Sequence, residues 1–175
     1  MDRRITRTKR AIYQAFVDLL NEKGYGTMTV QDIIDRADVG RSTFYMHYES
    51  KETLLDALCQ ELFHHIFMKK STEDLEVFQF IEHIMVHFKE NQDKIASLFL
   101  SDNASFMLRL KEEIAHHIYP LVADDYLSGL RHLPQDFVKN YVVTTFTETV
   151  KWWLRQRKRL SESTITHYFL DTLHA

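Results

Sequence analysis

The chain is poor both in residues that end helices and in residues that staple small folds: 175 residues include one cysteine, two prolines and four glycines. A lone thiol, Cys59, cannot close an intrachain disulfide, which excludes a cystine-stapled scaffold and fits a reducing compartment. So few breakers exclude a fold of short strands joined by tight turns, and beyond residue 50 only Pro120, Gly129 and Pro134 occur. Apolar residues recur at helical spacing between them, so the chain reads as all-α. No apolar run reaches the roughly 20 residues that span a bilayer. The opening Met1-Asp2-Arg3-Arg4-Ile5-Thr6-Arg7 is not followed by the apolar core of a signal peptide. A cytoplasmic protein with no membrane partner is expected. A phosphate-binding glycine loop and a nucleophile–base constellation are also missing from the sequence, so neither an enzyme nor a cofactor is expected.

What is present is a core and an uneven charge. Apolar residues make up 45% and aromatics 13% of the chain, too much for a disordered polymer and enough for one or two small domains. The net charge of −3 argues against indiscriminate nucleic-acid binding, but its distribution does not. Residues 1–51 hold nine Lys/Arg against seven Asp/Glu, whereas the remainder holds thirteen against eighteen. Arg3, Arg4, Arg7, Lys9 and Arg10 stand against Asp2 alone at the N-terminus. Such an arm suits phosphate contact or insertion into a minor groove, with a merely solvated tail as the other reading.

The run Thr29–Lys51 carries the functional class. Thr29 opens a helix as its N-cap, and Asp32 three residues on completes a capping-box pattern. Val30, Ile33, Ile34 and Ala37 then form one apolar stripe. Its partner is the stripe Ile12, Ala15, Phe16, Leu19 and Leu20, on a helix from about Ile5 to Lys23 that Gly24 stops. Asp38-Val39-Gly40 is the turn into a third helix, Arg41–His47, with Val39 plugging the small core and Gly40 supplying backbone freedom. Phe44 and Tyr48 face inward, which leaves Arg41, Ser42, Tyr45 and Met46 on the outer half, as a recognition helix requires. Ser50 is the N-cap of a fourth helix, so Lys51 sits in its first turn, where a cation opposes the helix dipole. An approaching phosphate would favour that cation; neutralisation by Glu49 and Glu52 is the bland alternative, and beside a recognition helix the phosphate reading is preferred.

Together, Thr29-Val30-x-Asp32-Ile33, Ala37-x-Val39, Ser42-Thr43-Phe44-Tyr45-x-His47-Tyr48 and Ser50-Lys51-Glu52-x-Leu54 form a long ordered signature. Residues from about Thr6 to Leu55 resemble the DNA-binding domain of the tetracycline-repressor (TetR) family of bacterial transcriptional regulators. The resemblance implies that Arg41 and Ser42 approach base edges, that Thr43, Tyr45, His47 and Lys51 hold phosphates, and that Thr29 touches the DNA backbone. The family often has Gly where this chain has Asp38, a residue that tolerates left-handed backbone better than most. The implied organisation is a helix-turn-helix DNA-binding domain over 1–50 and a helical ligand-binding and dimerisation domain over 51–175, about nine helices in all. The implied partners are a double-stranded DNA operator, a second copy held through the last two helices, and a small-molecule effector. Ligand binding among the middle helices would move the fourth helix, change the separation of the two recognition helices and release a palindromic operator. The C-terminal half is similar to a subgroup related to regulators of dihydroxyacetone-kinase operons.

Beyond the motif, the spacing predicts helices over about 51–69, 73–90, 92–100, 104–119, 134–158 and 161–173, with 120–133 irregular. Pro134 suits the first residue of its helix and Ser161 the cap of the last. Trp152 and Trp153 are adjacent, so they point about 100° apart, one inward and one toward a partner. Phe146, Tyr168 and Phe169 are further anchors for such a partner, or simply core. Arg155, Arg157, Lys158 and Arg159 crowd one helix end, where the dipole favours cations without any nucleic acid.

An aromatic-rich interior makes Phe88, Phe99, Phe106, Leu110, Tyr141, Thr145 and Glu148 the candidate effector pocket, each explained equally well by core packing. Ten histidines invite a metal site. His83 and His87 share a helix face, but Ile84 stands where the zinc-enzyme pattern has Glu, and the adjacent pairs His64-His65 and His116-His117 splay apart. No metal is expected. Two alternatives to the ligand-responsive regulator stay open: a helix-turn-helix protein governed by a protein partner, and a metal- or cofactor-binding bundle.

Overall fold

The computed structural model describes residues 3–67, 75–92, 96, 98–99, 103–156 and 160–174. Nine α-helices are described end to end among these residues, and no strand. They are α1 (Arg3–Thr27), α2 (Val30–Ala37), α3 (Arg41–His47), α4 (Lys51–Phe67) and α5 (Val77–Glu90). There follow α6 (Ala104–His117), α7 (Tyr119–Ala123), a 3₁₀ turn over Ser128–Leu130, α8 (Gln135–Arg155) and α9 (Glu162–Leu173). The chain forms two compact units, one of Met1–Leu62 with Asp93–Phe106 and one of Phe63–Gln92 with Met107–Ala175.

In the first unit α1 packs on α2, as the paired stripes require. Ile12, Ala15, Phe16, Leu19 and Leu20 are all buried, as are Ile33, Ile34, Phe44 and Tyr48. Val30, Ala37 and Val39 are only half-buried at the rim of this core. Gly24 breaks α1 as expected: its φ of 74° and ψ of 164° are not helical, although three further residues continue the assigned helix to Thr27. Almost only glycine adopts that backbone.

In the second unit α9 packs on both α5 and α8, and α7 touches α8. Phe146 anchors the layer, 6.2 Å from the Phe88 ring and edge-on to Phe169 at 5.1 Å. Lys89 of α5 is ion-paired with Glu162 in the first turn of α9. Ser161 caps α9, its Oγ accepting from the Thr164 amide at 3.2 Å. The indole of Trp153 donates to the Leu160 carbonyl at 3.0 Å, tying α8 to the residue before the Ser161 cap of α9.

Several expected boundaries shift. The stretch 120–133 is not wholly irregular, because Pro120 lies in the first turn of α7, where its missing N–H costs nothing. Pro134 is the N-cap of α8 with an extended ψ of 137°, not its first helical residue. α8 ends at Arg155; its expected continuation to Lys158, with Arg157 and Arg159, lies outside the described residues. α5 starts at Val77, capped by Glu76, and not at Glu73, since Leu75 and Glu76 are not helical. The expected end of the fourth helix at Lys69 and parts of the helix over 92–100 lie outside the described residues. Within that last segment Gln92, Ala96, Leu98 and Phe99 are helical.

Gly24 gives a clean test of backbone strain. A Cβ there would meet no atom within 4 Å, so Gly24→Ala should destabilise the first unit through conformation alone. The expected loss is about 1–3 kcal/mol by chemical denaturation, while Gly26→Ala, equally open but without the positive φ, should cost far less.

Candidate nucleic-acid interface

α2 is fixed at both ends, one of which forms the turn into α3. At its start the Thr29 hydroxyl accepts from the Asp32 amide at 3.2 Å, and the Asp32 carboxylate accepts from the Thr29 amide at 2.7 Å. Asp32 also receives the Thr29 hydroxyl at 2.6 Å and the Lys23 ammonium at 2.7 Å. Lys23 first, and then Thr29, hold the Asp32 carboxyl well below the ordinary carboxylate range. Arg36 forks onto Glu22 at 2.7 and 2.6 Å, tying the other end of α2 to α1.

α2 ends in a Schellman motif. The Asp38 amide donates to Asp35 and the Val39 amide to Ile34, at 3.4 and 3.3 Å, with Asp38 left-handed at φ 51°, ψ 51°. The conformational freedom assigned to Gly40 is therefore used at Asp38 instead. Gly40 is the extended N-cap of α3, with a φ of −69° that any residue adopts.

α3 is short and one-sided. Phe44 is fully buried, with Tyr45 edge-on to it at 5.5 Å and Tyr48 tilted against it at 6.0 Å. Arg41, Ser42, Tyr45 and Met46 are exposed, and Thr43 and His47 are half-buried on the flanks. The structure thus brings the expected recognition residues onto one outer surface. Thr29 is exposed beside the start of α2, with its hydroxyl already committed to the cap.

Within the protein Lys51 is held by backbone carbonyls and not by the carboxylates of Glu49 and Glu52. Its ammonium donates to the carbonyls of Tyr25 and Met28 at 3.0 and 2.9 Å and lies 4.5 Å from the centre of the Tyr25 ring. Glu52 feels the charge of Lys51 but commits its carboxylate to the Tyr25 hydroxyl, which it accepts at 3.1 Å. Burial first, and then that bond, push the Tyr25 phenol well above its usual range. Ser50 caps α4 as expected, accepting from the amides of Glu52 and Thr53, both at 3.2 Å. An ammonium with three donors retains one beyond the two carbonyls. Sequence reasoning missed Tyr25 and Met28 as partners of Lys51, because they approach from 26 and 23 residues away.

The candidate effector residues fall in both units. Phe99 and Phe106 belong to the first, edge to face at 5.3 Å. Phe88, Leu110, Tyr141, Thr145 and Glu148 belong to the second. Phe88 and Leu110 are buried and Tyr141 and Thr145 half-buried. The Tyr141 hydroxyl donates to the Thr172 carbonyl at 2.6 Å. Glu148 is exposed, 3.6 Å from Lys151. The His83 and His87 rings meet edge to face at 4.4 Å, and His87 lies 3.3 Å from Glu90. Among the described residues no three His, Cys, Asp or Glu side chains gather as a metal site would need.

Two predictions follow from the ends of α2. Asp38→Ala should destabilise the first unit by about 1–2 kcal/mol, because alanine visits the left-handed backbone less readily than aspartate, whereas Asp38→Gly should be neutral or stabilising in denaturant titrations. Asp32 contributes stability above its unfolded pKa, near the ordinary 3.8, and that contribution is lost as pH falls toward its depressed folded value. Thermal midpoints measured from pH 7 down to pH 3 should therefore fall less steeply in Asp32→Asn than in the wild type.

Residues 12–58 match the family of bacterial regulatory proteins, tetR family, and residues 75–175 match a transcriptional regulator C-terminal region. The structure is similar to that of a TetR transcriptional regulator from Streptococcus agalactiae 2603V, with a TM-score of 0.87 and 46% identity over 99% of this chain and 97% of that one. It is 37% identical over 82 residues to the uncharacterized HTH-type transcriptional regulator YxbF of Bacillus subtilis (strain 168), covering 44% of this chain and 22% of that protein. The dhaKLM operon transcriptional activator DhaS of Lactococcus lactis subsp. lactis (strain IL1403) is 38% identical over 48 residues, 27% of this chain and 26% of that protein. These two matches thus span about a quarter of each curated relative's length. No helix among the described residues is long and apolar enough to cross a membrane. With both regions matched and a relative 46% identical along nearly its whole length, the chain belongs to the TetR family of DNA-binding transcriptional regulators.

Proposed function

We propose that this regulator is a cytoplasmic, dimeric repressor that leaves a palindromic operator when a small molecule binds in its C-terminal helical region. The observation that carries the DNA-binding half is the outer surface of α3: a seven-residue helix whose buried side is Phe44 and whose other side presents Arg41, Ser42 and Tyr45. Arg41 and Ser42 read base edges in the major groove, while Thr43, Tyr45, His47 and the remaining donor of Lys51 hold phosphates. Thr29 presents the start of α2 to the DNA backbone.

So short a helix reads too few bases alone, which requires two copies on half-sites about one helical turn apart, roughly 34–36 Å. Support for the pairing surface comes from Phe137, Trp152 and Tyr168, large apolar side chains 59%, 46% and 48% exposed on α8 and α9. At about 100° per residue Phe137 and Trp152 fall on one stripe of α8. Trp153 turns inward and is 2% exposed, the division expected for the adjacent tryptophans. Phe146 and Phe169, offered as anchors by sequence, are fully buried and serve the core.

The effector-binding half rests on the buried Phe88 and Leu110 of the second unit, with the half-buried Tyr141 and Thr145 of the same unit as its candidate polar groups. Glu148 would have to leave Lys151 to join them. Activation in place of repression is the second reading, supported by the likeness to DhaS, which is named an operon activator.

Arg41→Ala should cost roughly 1–3 kcal/mol at one base pair per half-site, measured as operator affinity across single-base variants; unchanged preference would remove Arg41 from base reading. Lys51→Ala should weaken all duplexes alike and lower the salt slope by about one per subunit, with thermal stability followed in parallel because two carbonyls also lose their donor. For the effector, hits from a thermal-shift screen should lower operator affinity, and operator should weaken each hit by the same factor. Hits that leave operator affinity unchanged would refute the coupling. Sedimentation as a monomer at micromolar concentration would refute the dimer.

A further inference from the structure

Met46 is the most exposed large apolar side chain among the described residues, at 78%, and it stands on the recognition helix. At about 100° per residue it lies roughly 200° around α3 from Phe44, and Ser42 lies about 160° from it. Phe44 is the side chain fully buried in the core, so Met46 and Ser42, one turn apart, form the crest of the outward face. Arg41 and Tyr45 flank that crest on one side, Thr43 and His47 on the other. Exposure follows this order: Ser42 and Met46 are exposed and Thr43 and His47 half-buried. At that exposure an apolar residue at the crest gains little from packing, and serine or lysine there would be better solvated.

We infer that Met46 is a specificity-determining residue that reads a thymine through its 5-methyl group. The inference rests on the DNA-binding reading above and extends it to a residue outside the polar set. A thioether chain has no hydrogen-bond donor and only a weak acceptor, so it cannot read the polar edges of bases. The one apolar feature that a standard base pair offers in the major groove is the thymine methyl. Methionine is unbranched and adaptable, so it can cover that methyl from a range of helix depths. The contact adds discrimination without neutralising phosphate charge. Met46 therefore contributes to sequence preference and leaves the salt dependence untouched.

The test uses the full-length protein and a random-sequence duplex library, from which the preferred site is selected. Each thymine of that site is then replaced by deoxyuridine, which differs only by lacking the methyl. For the wild type, one thymine per half-site should lose about fourfold in affinity on replacement, the worth of one buried apolar carbon. In Met46→Ala the same replacement should change affinity by less than twofold, with the salt slope equal to that of wild type. Met46→Leu, which keeps an apolar tip, should retain most of the discrimination. The inference is overturned if no thymine shows this coupling to residue 46, or if Met46→Ala lowers the salt slope as a phosphate contact would. Failure to enrich any duplex would sink the DNA-binding reading along with it; enrichment without coupling sinks Met46 alone.

Discussion

The direction in which seven residues of α3 point is set by one buried ring. A helix of under two turns is not stable alone in water, so Phe44 must supply the order that hydrogen bonds within α3 cannot. Its complete burial, against the rings of Tyr45 and Tyr48, fixes the rotation of the helix about its own axis. Every outward residue inherits its place from that rotation. A polar side chain at position 44 would leave the outer face chemically intact and still abolish its orientation.

Around that ring the first unit is tied at each point where the chain changes direction. The capping box opens α2, the left-handed Asp38 closes it, and ion pairs at both ends hold it to α1. Lys51 then reaches back to the carbonyls of Tyr25 and Met28, so the start of α4 is fastened to the end of α1. The same ammonium is both a structural donor and the group proposed to meet phosphate. If that proposal holds, DNA binding and the position of the α4 N-terminus share one side chain.

Local chemistry was legible in the sequence, and long-range approach was not. Thr29 with Asp32, Ser50 and Ser161 cap helices as their sequence context indicates, because a cap depends on residues two or three apart. Gly24 was recognisable as a break for the same reason. The partners of Lys51 depend on how α1 ends in space, and charge alone pointed to Glu49 and Glu52. At the turn, residue type alone gave Gly40 the backbone freedom, while the family resemblance already marked Asp38 as standing where a glycine often does; the left-handed residue is Asp38. Aromatic identity misled on α8 and α9, where Phe146 and Phe169 are core and Phe137 is exposed. The stripe shared by Phe137 and Trp152 was available from their spacing. The short α7 was hidden by Pro120, read as a breaker although it also starts helices.

The central claim, that the crest of α3 enters the groove of DNA, is tested most directly by observing that crest. The chain has six methionines, so methyl-labelled methionine gives six signals in the full-length protein. Titration with the selected duplex should shift the Met46 methyl and produce a cross-relaxation contact to DNA protons, while buried Met28 and Met85 remain nearly unmoved. A Met46 signal unchanged at saturating duplex would contradict the account and move the nucleic-acid surface away from α3.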